Sequence, residues 1–89
     1  MIFEFDSEKN KINEEKHGID FKEAQKLWKD DKKIILAARY AGEERRLLIG
    51  KINNAYWAAV FVRRNKKVRI IFVRKARKNE RERYNSRRI

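Results

Sequence analysis

The spacing of apolar residues changes near residue 33, which divides the chain into a helical first third and a strand-rich remainder. Residues 2–5 alternate apolar and acidic side chains, and this alternation predicts a short first strand. Four further apolar runs are separated by short breaks that carry Gly or Asn, the residues that tolerate the positive φ of hairpin turns. An antiparallel meander is therefore predicted, with strands at 34–40, 45–52, 56–64 and 68–75 and turns at 41–43, 53–54 and 65–66.

Two helices are predicted between the first strand and the meander. Asp6 and Ser7 are N-cap candidates for a polar helix over residues 8–17, and Gly18 follows as its C-terminal cap. Asp20 to Glu23 has the spacing of a capping box that starts a second helix. The core-facing side of that helix is predicted to consist of Phe21, Ala24, Leu27 and Trp28.

A last polar helix is predicted over residues 77–87. The order of elements is then β-α-α-β-β-β-β-α, in an α+β fold with a meander sheet. No linker or repeat interrupts it, so residues 1–89 are expected to form one small domain.

The pairing of the last two strands determines which side chains share a face. A two-residue turn at 65–66 would pair Arg64 with Lys67, Val62 with Arg69 and Trp57 with Arg74. The bulkier face is expected to be the core under the helices: Trp57, Ala59, Phe61, Ile70 and Phe72. The lighter face is expected to form a shallow floor, with Arg64 and Arg69 among Ala58, Val60, Val62, Ile71 and Val73.

Positive charge is concentrated at the C-terminal end. Residues 63–89 hold 13 of the 25 Lys and Arg residues and only two acids, so this segment carries +11 of the net +12. The first 30 residues are slightly acidic, with six basic and eight acidic side chains. This asymmetry indicates a polyanionic partner that docks on the C-terminal third.

Composition also excludes several classes of protein. The absence of Cys removes disulfide scaffolds and thiolate zinc sites, and a single His without a carboxylate cluster argues against a metal or another cofactor. No apolar segment is long enough to span a membrane, and the N-terminus lacks the pattern of a secretory signal. A cytoplasmic protein is expected.

Three short motifs resemble one known family. Residues 16–21, Lys-His-Gly-Ile-Asp-Phe, are similar to the K-H-G-[IV]-x-F signature of the BrnT family of bacterial toxins. Residues 42–45 and 49–50 match its G-E-x-R…G hairpin. Residues 69–76 with Glu80 and Tyr84 resemble its R-I-I-S-A-R-x-A…E…Y run, although Phe72-Val73 stands where the family usually has Ser-Ala.

The resemblance implies a ribonuclease toxin with a RelE-like fold that inhibits translation. It further implies a ribbon-helix-helix antitoxin of the BrnA type as partner, with promoter DNA bound only by the toxin–antitoxin complex. If the family's serine hydroxyl contacts the substrate, that contact is missing at Phe72.

Metal-independent RNA cleavage needs a base for the ribose 2′-hydroxyl, cations for the phosphate and an acid for the departing 5′-oxygen. Arginine is suited to charge stabilisation, because it pairs bidentately with phosphate and does not readily lose its proton. By the family match, Arg64 and Arg74 are the best candidates for that role. Glu80 is predicted as the proton acceptor and Tyr84 as a hydrogen-bond donor or base-stacking platform.

Further RNA contacts are predicted for Lys16, His17, Arg69, Arg77 and Arg81. His17 also has a structural interpretation, since a histidine in the last helical turn interacts favourably with the helix dipole. The Arg77–Glu80–Arg81 spacing is equally typical of a solvated salt-bridge face.

Two other functions fit the same cations. One is a non-catalytic RNA- or ribosome-binding module, and the other is a basic surface that serves mainly to bind an acidic segment of a partner protein.

Overall fold

A computed structural model describes residues 1–40 and 43–86, and it confirms the predicted order of elements in a small α+β fold. The strands are β1 (Ile2–Glu4), β2 (Ile34–Tyr40), β3 (Glu43–Ile52), β4 (Ala55–Arg64) and β5 (Lys67–Lys75). The helices are α1 (Ser7–His17), α2 (Phe21–Ala24), which continues as a 3-10 helix (Gln25–Lys29), and α3 (Lys78–Ser86). Gly42 of the predicted hairpin motif and residue 87 of the predicted last helix lie outside the described residues.

The five strands form one sheet in the order β1-β5-β4-β3-β2. The four later strands pair antiparallel as a meander, and β1 joins the sheet parallel to β5. β1 pairs only with Lys67, Val68 and Arg69. In the part of the chain that the structure describes, no strand therefore pairs with the C-terminal half of β5 on that side, and α1 packs there instead.

A buried asparagine attaches α1 to this open edge. Asn13 Nδ2 donates to the carbonyl oxygens of Val73 and Ile19, both at 2.9 Å, and Asn13 Oδ1 accepts from Val73 N at 3.0 Å. The side-chain amide thus satisfies the backbone groups that a neighbouring strand would otherwise bond. The helix begins at the predicted cap Asp6 and ends at Gly18, whose φ of 76° is left-handed.

The second helix differs from the prediction in its geometry. Asp20 caps it as expected, accepting from Glu23 N at 2.7 Å, but the α-helical turn gives way to a 3-10 helix after Ala24. A 3-10 helix repeats every three residues, so a spacing of three keeps Phe21, Ala24 and Leu27 on one buried face. The core-facing side is therefore the predicted one.

A β-bulge in β5 overturns part of the predicted pairing. Arg64 faces Lys67 and Val62 faces Arg69 as predicted, but the register shifts at Val60/Phe61 because Ile71 is an extra residue. Trp57 consequently faces Lys75 and not Arg74. Lys75 Nζ lies 5.9 Å from the centroid of the Trp57 ring, which is within the range of a cation–π contact.

The same bulge exchanges two side chains between the faces of the sheet, because one extra residue reverses the alternation beyond it. Val73 was predicted on the lighter face but is fully buried in the core under the helices. Phe72 was predicted in that core but packs, half-buried, against a second cluster on the opposite face. The first core comprises Ile19, Phe21, Ala24, Leu27, Leu48, Trp57, Ala59, Phe61, Val68, Ile70 and Val73.

Part of the predicted shallow floor is covered. Tyr84 from α3 and Ala76 before it pack on the opposite face with Leu47, Ile49, Ala58 and Val60. Arg64 and Arg69 lie on this face as predicted. Arg74 lies there as well, on the side of Ala58, and not opposite Trp57 on the core face, because the bulge shifts its pairing by one residue. Among the described residues, no helix has the length and apolar character needed to cross a membrane.

Candidate functional site

A groove of about 530 Å³ lies where α1, the open edge of β5 and the start of α3 meet. Its described lining contains four Lys or Arg side chains, one histidine and no carboxylate. The lining residues are Lys9, Ile12, Asn13, Lys16, His17, Ile71, Phe72, Arg74 and Arg77. This arrangement combines positive charge with an apolar side, which suits a ligand that carries both phosphate and a flat apolar group.

Local structure explains why these side chains converge. Lys9, Ile12, Asn13 and Lys16 are spaced by three and four residues, so they lie along one face of α1. His17 ends the helix directly before the Gly18 cap and is half-buried. The cations from the other side come from the end of β5 and the two-residue connection to α3.

Arg74 is fixed by an ion pair with Glu80. Its Nη1 and Nη2 atoms donate to the two carboxylate oxygens at 2.8 and 2.9 Å, and the two side chains are only 14% and 10% exposed. Glu80 also accepts from Arg77 N at 2.7 Å and thereby caps α3. The hydrogen bond from Arg74 lowers the pKa of Glu80 despite the opposing effect of burial, so this carboxylate is ionised and a weak base.

Tyr84 lies outside the groove. Its ring is buried edge-on against Tyr56, with centroids 5.5 Å apart, and its hydroxyl donates to Asp30 Oδ2 at 2.7 Å. Asp30 also accepts from the backbone nitrogens of Lys51 and Lys32, at 2.8 and 2.9 Å. Burial acts to raise the pKa of Asp30, but these three hydrogen bonds outweigh it and the pKa is lowered.

The other predicted RNA contacts, Arg64, Arg69 and Arg81, do not line the groove. Arg69 Nη1 lies 3.6 Å from Glu4 Oε2, and Arg81 Nη1 donates to the Ala76 carbonyl at 3.1 Å. Arg64 is at the exposed end of β4, six residues beyond the partner of Arg74 and thus about 20 Å away along the strand. Of the predicted site residues, the structure brings Lys16, His17, Arg74 and Arg77 together.

Sequence reasoning missed the contributions of Lys9, Ile12, Asn13 and Ile71 to the groove. For the three residues of α1 a signal was present, because their spacing with Lys16 marks one helix face. For Ile71 there was none, since the bulge falls inside an uninterrupted apolar run. Within residues 1–40 and 43–86, no group of three or more His, Asp or Glu side chains is placed to hold a metal ion.

Comparison with known proteins identifies the family. The family model described as the ribonuclease toxin BrnT of type II toxin–antitoxin systems matches residues 5–80, which is most of the chain. No curated protein matches the chain significantly. The chain therefore belongs to the BrnT family of ribonuclease toxins, and the resemblance seen in its motifs is confirmed. A type II toxin of this kind has an RNA substrate and an antitoxin partner.

Proposed function

We propose that this BrnT-family toxin cleaves RNA in the groove between α1, β5 and α3, without a metal ion. One observation carries the proposal. Lys9, Lys16, Arg74 and Arg77 converge on a single groove that His17 also lines. Charge of this density attracts the RNA backbone and stabilises the additional negative charge that builds on a phosphate during cleavage.

The reaction proposed is internal transesterification. The ribose 2′-oxygen attacks the adjacent phosphorus, the new O2′–P bond forms and the P–O5′ bond breaks. The products are a 2′,3′-cyclic phosphate and a 5′-hydroxyl. Arg74 and Arg77 stabilise the charge on the non-bridging oxygens. The 2′-hydroxyl loses its proton and the departing 5′-oxygen gains one; the His17 imidazole performs one of these transfers as general acid or base, and water performs the other.

Glu80 has a positioning role in this proposal. Its two hydrogen bonds with Arg74 hold the guanidinium in one orientation, and its lowered pKa makes it poorly suited to take the 2′-hydroxyl proton. Tyr84 takes no part in the chemistry proposed, because its hydroxyl is bonded to Asp30 away from the groove.

Arg64 and Arg69 are proposed to guide the RNA strand. They share the sheet face of Arg74, and both lie towards the β4–β5 turn. Contacts spaced over about 20 Å suit successive phosphates of one strand and do not act on the scissile bond. Arg81 contributes to the same positive field from the exposed side of α3.

The first test is incubation of the purified protein with bulk RNA in an excess of EDTA. The expected result is cleavage at an undiminished rate, with ends that carry a cyclic phosphate. Cleavage that needs added metal would contradict the metal-free reaction. Binding without any products over a long incubation would instead identify a non-catalytic RNA- or ribosome-binding module.

The second test compares two double variants that lose the same charge. Lys16→Ala/Arg77→Ala removes two cations from the groove, whereas Lys22→Ala/Arg83→Ala removes two exposed cations that do not line it. We expect kcat/KM to fall at least tenfold in the first and less than about twofold in the second. Equal losses would mean that net charge, and not the groove, is responsible.

His17→Gln tests proton transfer separately. If His17 accepts or donates a proton in the reaction, this variant loses one limb of the pH–rate profile, the rising limb for a base and the falling limb for an acid. A lower rate with an unchanged profile would leave His17 with the structural role at the end of α1.

The proposal extends to the partner. A ribbon-helix-helix antitoxin of the BrnA type would cover the cationic groove with an acidic segment, so that RNA and antitoxin compete for one surface. We propose that residues 1–89 act as one domain in the cytoplasm, where RNA is found, and that only the complex binds promoter DNA. Sequence-specific operator binding by the isolated chain would contradict this last point.

A further inference from the structure

One side of the groove is apolar, although it is surrounded by cations. Ile12, the one large aliphatic residue of α1, is 55% exposed and lines it together with Ile71 and Phe72. The bulge at Ile71 places Phe72 on this side of β5 and removes it from the core under the helices. An isolated exposed isoleucine is ordinary, but here Ile12 shares the groove with Ile71 and Phe72, so the three side chains form one apolar surface that a ligand could cover.

We infer that this apolar side, formed by Ile12, Ile71 and Phe72, binds an unpaired nucleobase, so that the preferred substrate is single-stranded RNA. The inference rests on the proposed function and specifies its substrate class. A nucleotide offers a phosphate and a flat aromatic base a few ångströms apart. The groove offers the complementary pair, since Arg74 and Arg77 line it together with Phe72 and Ile12.

The chemistry of the two nucleic acid forms explains the preference. In a duplex, each base is stacked between its neighbours and paired on its edge, so its flat face is covered. In a single strand the base can leave the stack and place that face on an aromatic or aliphatic side chain. The cations alone would bind both forms of RNA, whereas the apolar side adds affinity only for the single strand, whose bases are accessible.

The test measures binding of an RNA oligonucleotide with 2′-fluoro sugars, which cannot be cleaved, as a single strand and as a duplex. Ile12→Ala is the main variant, because an exposed side chain can be truncated without unfolding the protein. Ile35→Ala is its matched control, since Ile35 is 43% exposed on β2 and does not line the groove. Phe72→Leu and Phe72→Tyr complete the set, the first lacking the ring and the second keeping it.

For the single strand, we expect Ile12→Ala and Phe72→Leu to raise Kd about tenfold. The control and Phe72→Tyr should stay within about threefold of the unmodified protein. For the duplex, all variants should bind equally. Equal single-strand affinity of Ile12→Ala and the control would overturn the inference, and so would an equal loss with the duplex.

An abasic scan along the oligonucleotide identifies the base. Removing one particular base should weaken binding to the unmodified protein and leave Phe72→Leu unaffected, because the contact is already lost there. If Ile12→Ala and Phe72→Leu weaken antitoxin binding and leave RNA affinity unchanged, the apolar side holds a protein side chain and the inference is wrong.

The outcome is separate from that of the proposed function, because binding of an uncleavable strand does not need catalysis. If binding of the single strand depends on the base as expected but the protein never cleaves RNA, the nuclease proposal alone is contradicted. Cleavage that depends on Arg77 and Lys16 but not on Ile12 or Phe72 would contradict the base-binding inference alone.

Discussion

Arg74 and Glu80 join the end of β5 to the first turn of α3 through two hydrogen bonds of 2.8 and 2.9 Å between nearly buried charges. The ion pair orients both side chains at this end of the sheet. The pair holds the Arg74 guanidinium at the groove, and both carboxylate oxygens of Glu80 are used as acceptors of its hydrogen bonds. The carboxylate bonded to Arg74 is therefore committed to positioning that guanidinium.

Replacing Glu80 tests that pair. Glu80→Gln should retain a weaker contact and lower the free energy of unfolding by about 1–2 kcal/mol at pH 7, and Glu80→Ala by about 3 kcal/mol, because a partly buried guanidinium loses its partner. Both should reduce kcat with little change in the pH–rate profile. Glu82→Gln, at an exposed position of the same helix, is the control. A lost limb of the profile would show that Glu80 itself transfers a proton.

The pH dependence of stability follows from the lowered pKa of Glu80. A carboxyl whose pKa is lowered by folding stabilises the protein above its ordinary value, which is 4.5 here, and loses that contribution as the pH falls through the folded value. The difference between the unmodified protein and Glu80→Gln, measured by urea unfolding, should therefore be smaller at pH 3 than at pH 7. An equal difference at both would mean that the charge of Glu80 contributes nothing.

Asn13→Ala should lower the free energy of unfolding by about 3 kcal/mol, because it leaves the Val73 amide and carbonyl without partners next to the core. The Val73 amide should also exchange its hydrogen faster. Glu14→Ala, at the next and exposed position of α1, should change stability by less than about 0.5 kcal/mol. Unchanged Val73 exchange would contradict the role assigned to the Asn13 amide.

Tyr84→Phe removes the hydroxyl bonded to Asp30 and should lower stability by about 1 kcal/mol. RNA cleavage should stay within about twofold, because Tyr84 does not line the groove. Tyr56→Phe is the matched control, since the Tyr56 hydroxyl bonds an exposed side chain, Asn85, at 3.1 Å. A fall in kcat of tenfold or more in Tyr84→Phe alone would support the catalytic role that the sequence motif predicts.

Arg77→Ala should reduce the salt dependence of RNA binding. Each phosphate contact to a single strand contributes about 0.7 to the slope of log Kd against log salt concentration, so the slope should fall by about that amount. Arg83→Ala, on the same helix but outside the groove lining, should leave the slope nearly unchanged. Equal slopes in the two variants would mean that Arg77 makes no phosphate contact.

Local signals in the sequence predicted the elements well, and the reason is physical. The caps at Asp6, Gly18 and Asp20 and the turns at 53–54 and 65–66 act over a few residues, so their chemistry is visible in the chain. The bulge is different, because residues 70–73 are all apolar and a shift of one position leaves no polar residue on the wrong face to reveal it.

The candidate site was predicted only in part, because local sequence signals identify residues but not the contacts between distant elements. Lys16, His17, Arg74 and Arg77 were recognised by residue type and motif, but their convergence depends on α1 packing at the open edge of β5. That packing depends on the Asn13–Val73 contact, which joins residues 60 positions apart and so cannot be read from local sequence. Glu80 is a second case, because its spacing on α3 predicts an Arg77–Glu80–Arg81 face. Arg74 pairs with Glu80 instead, because two partly buried charges interact more strongly than exposed ones.

The Asn13 amide also has a consequence for the protein in a crowded solution. Unpaired peptide groups along a sheet margin are a template on which other chains add strands, and such growth leads to aggregation or domain swapping. By bonding the N–H and the C=O of Val73, Asn13 occupies two peptide groups of this margin to which another chain would otherwise bond. One side chain thus makes the incomplete edge beside the candidate groove a poorer template for an added strand.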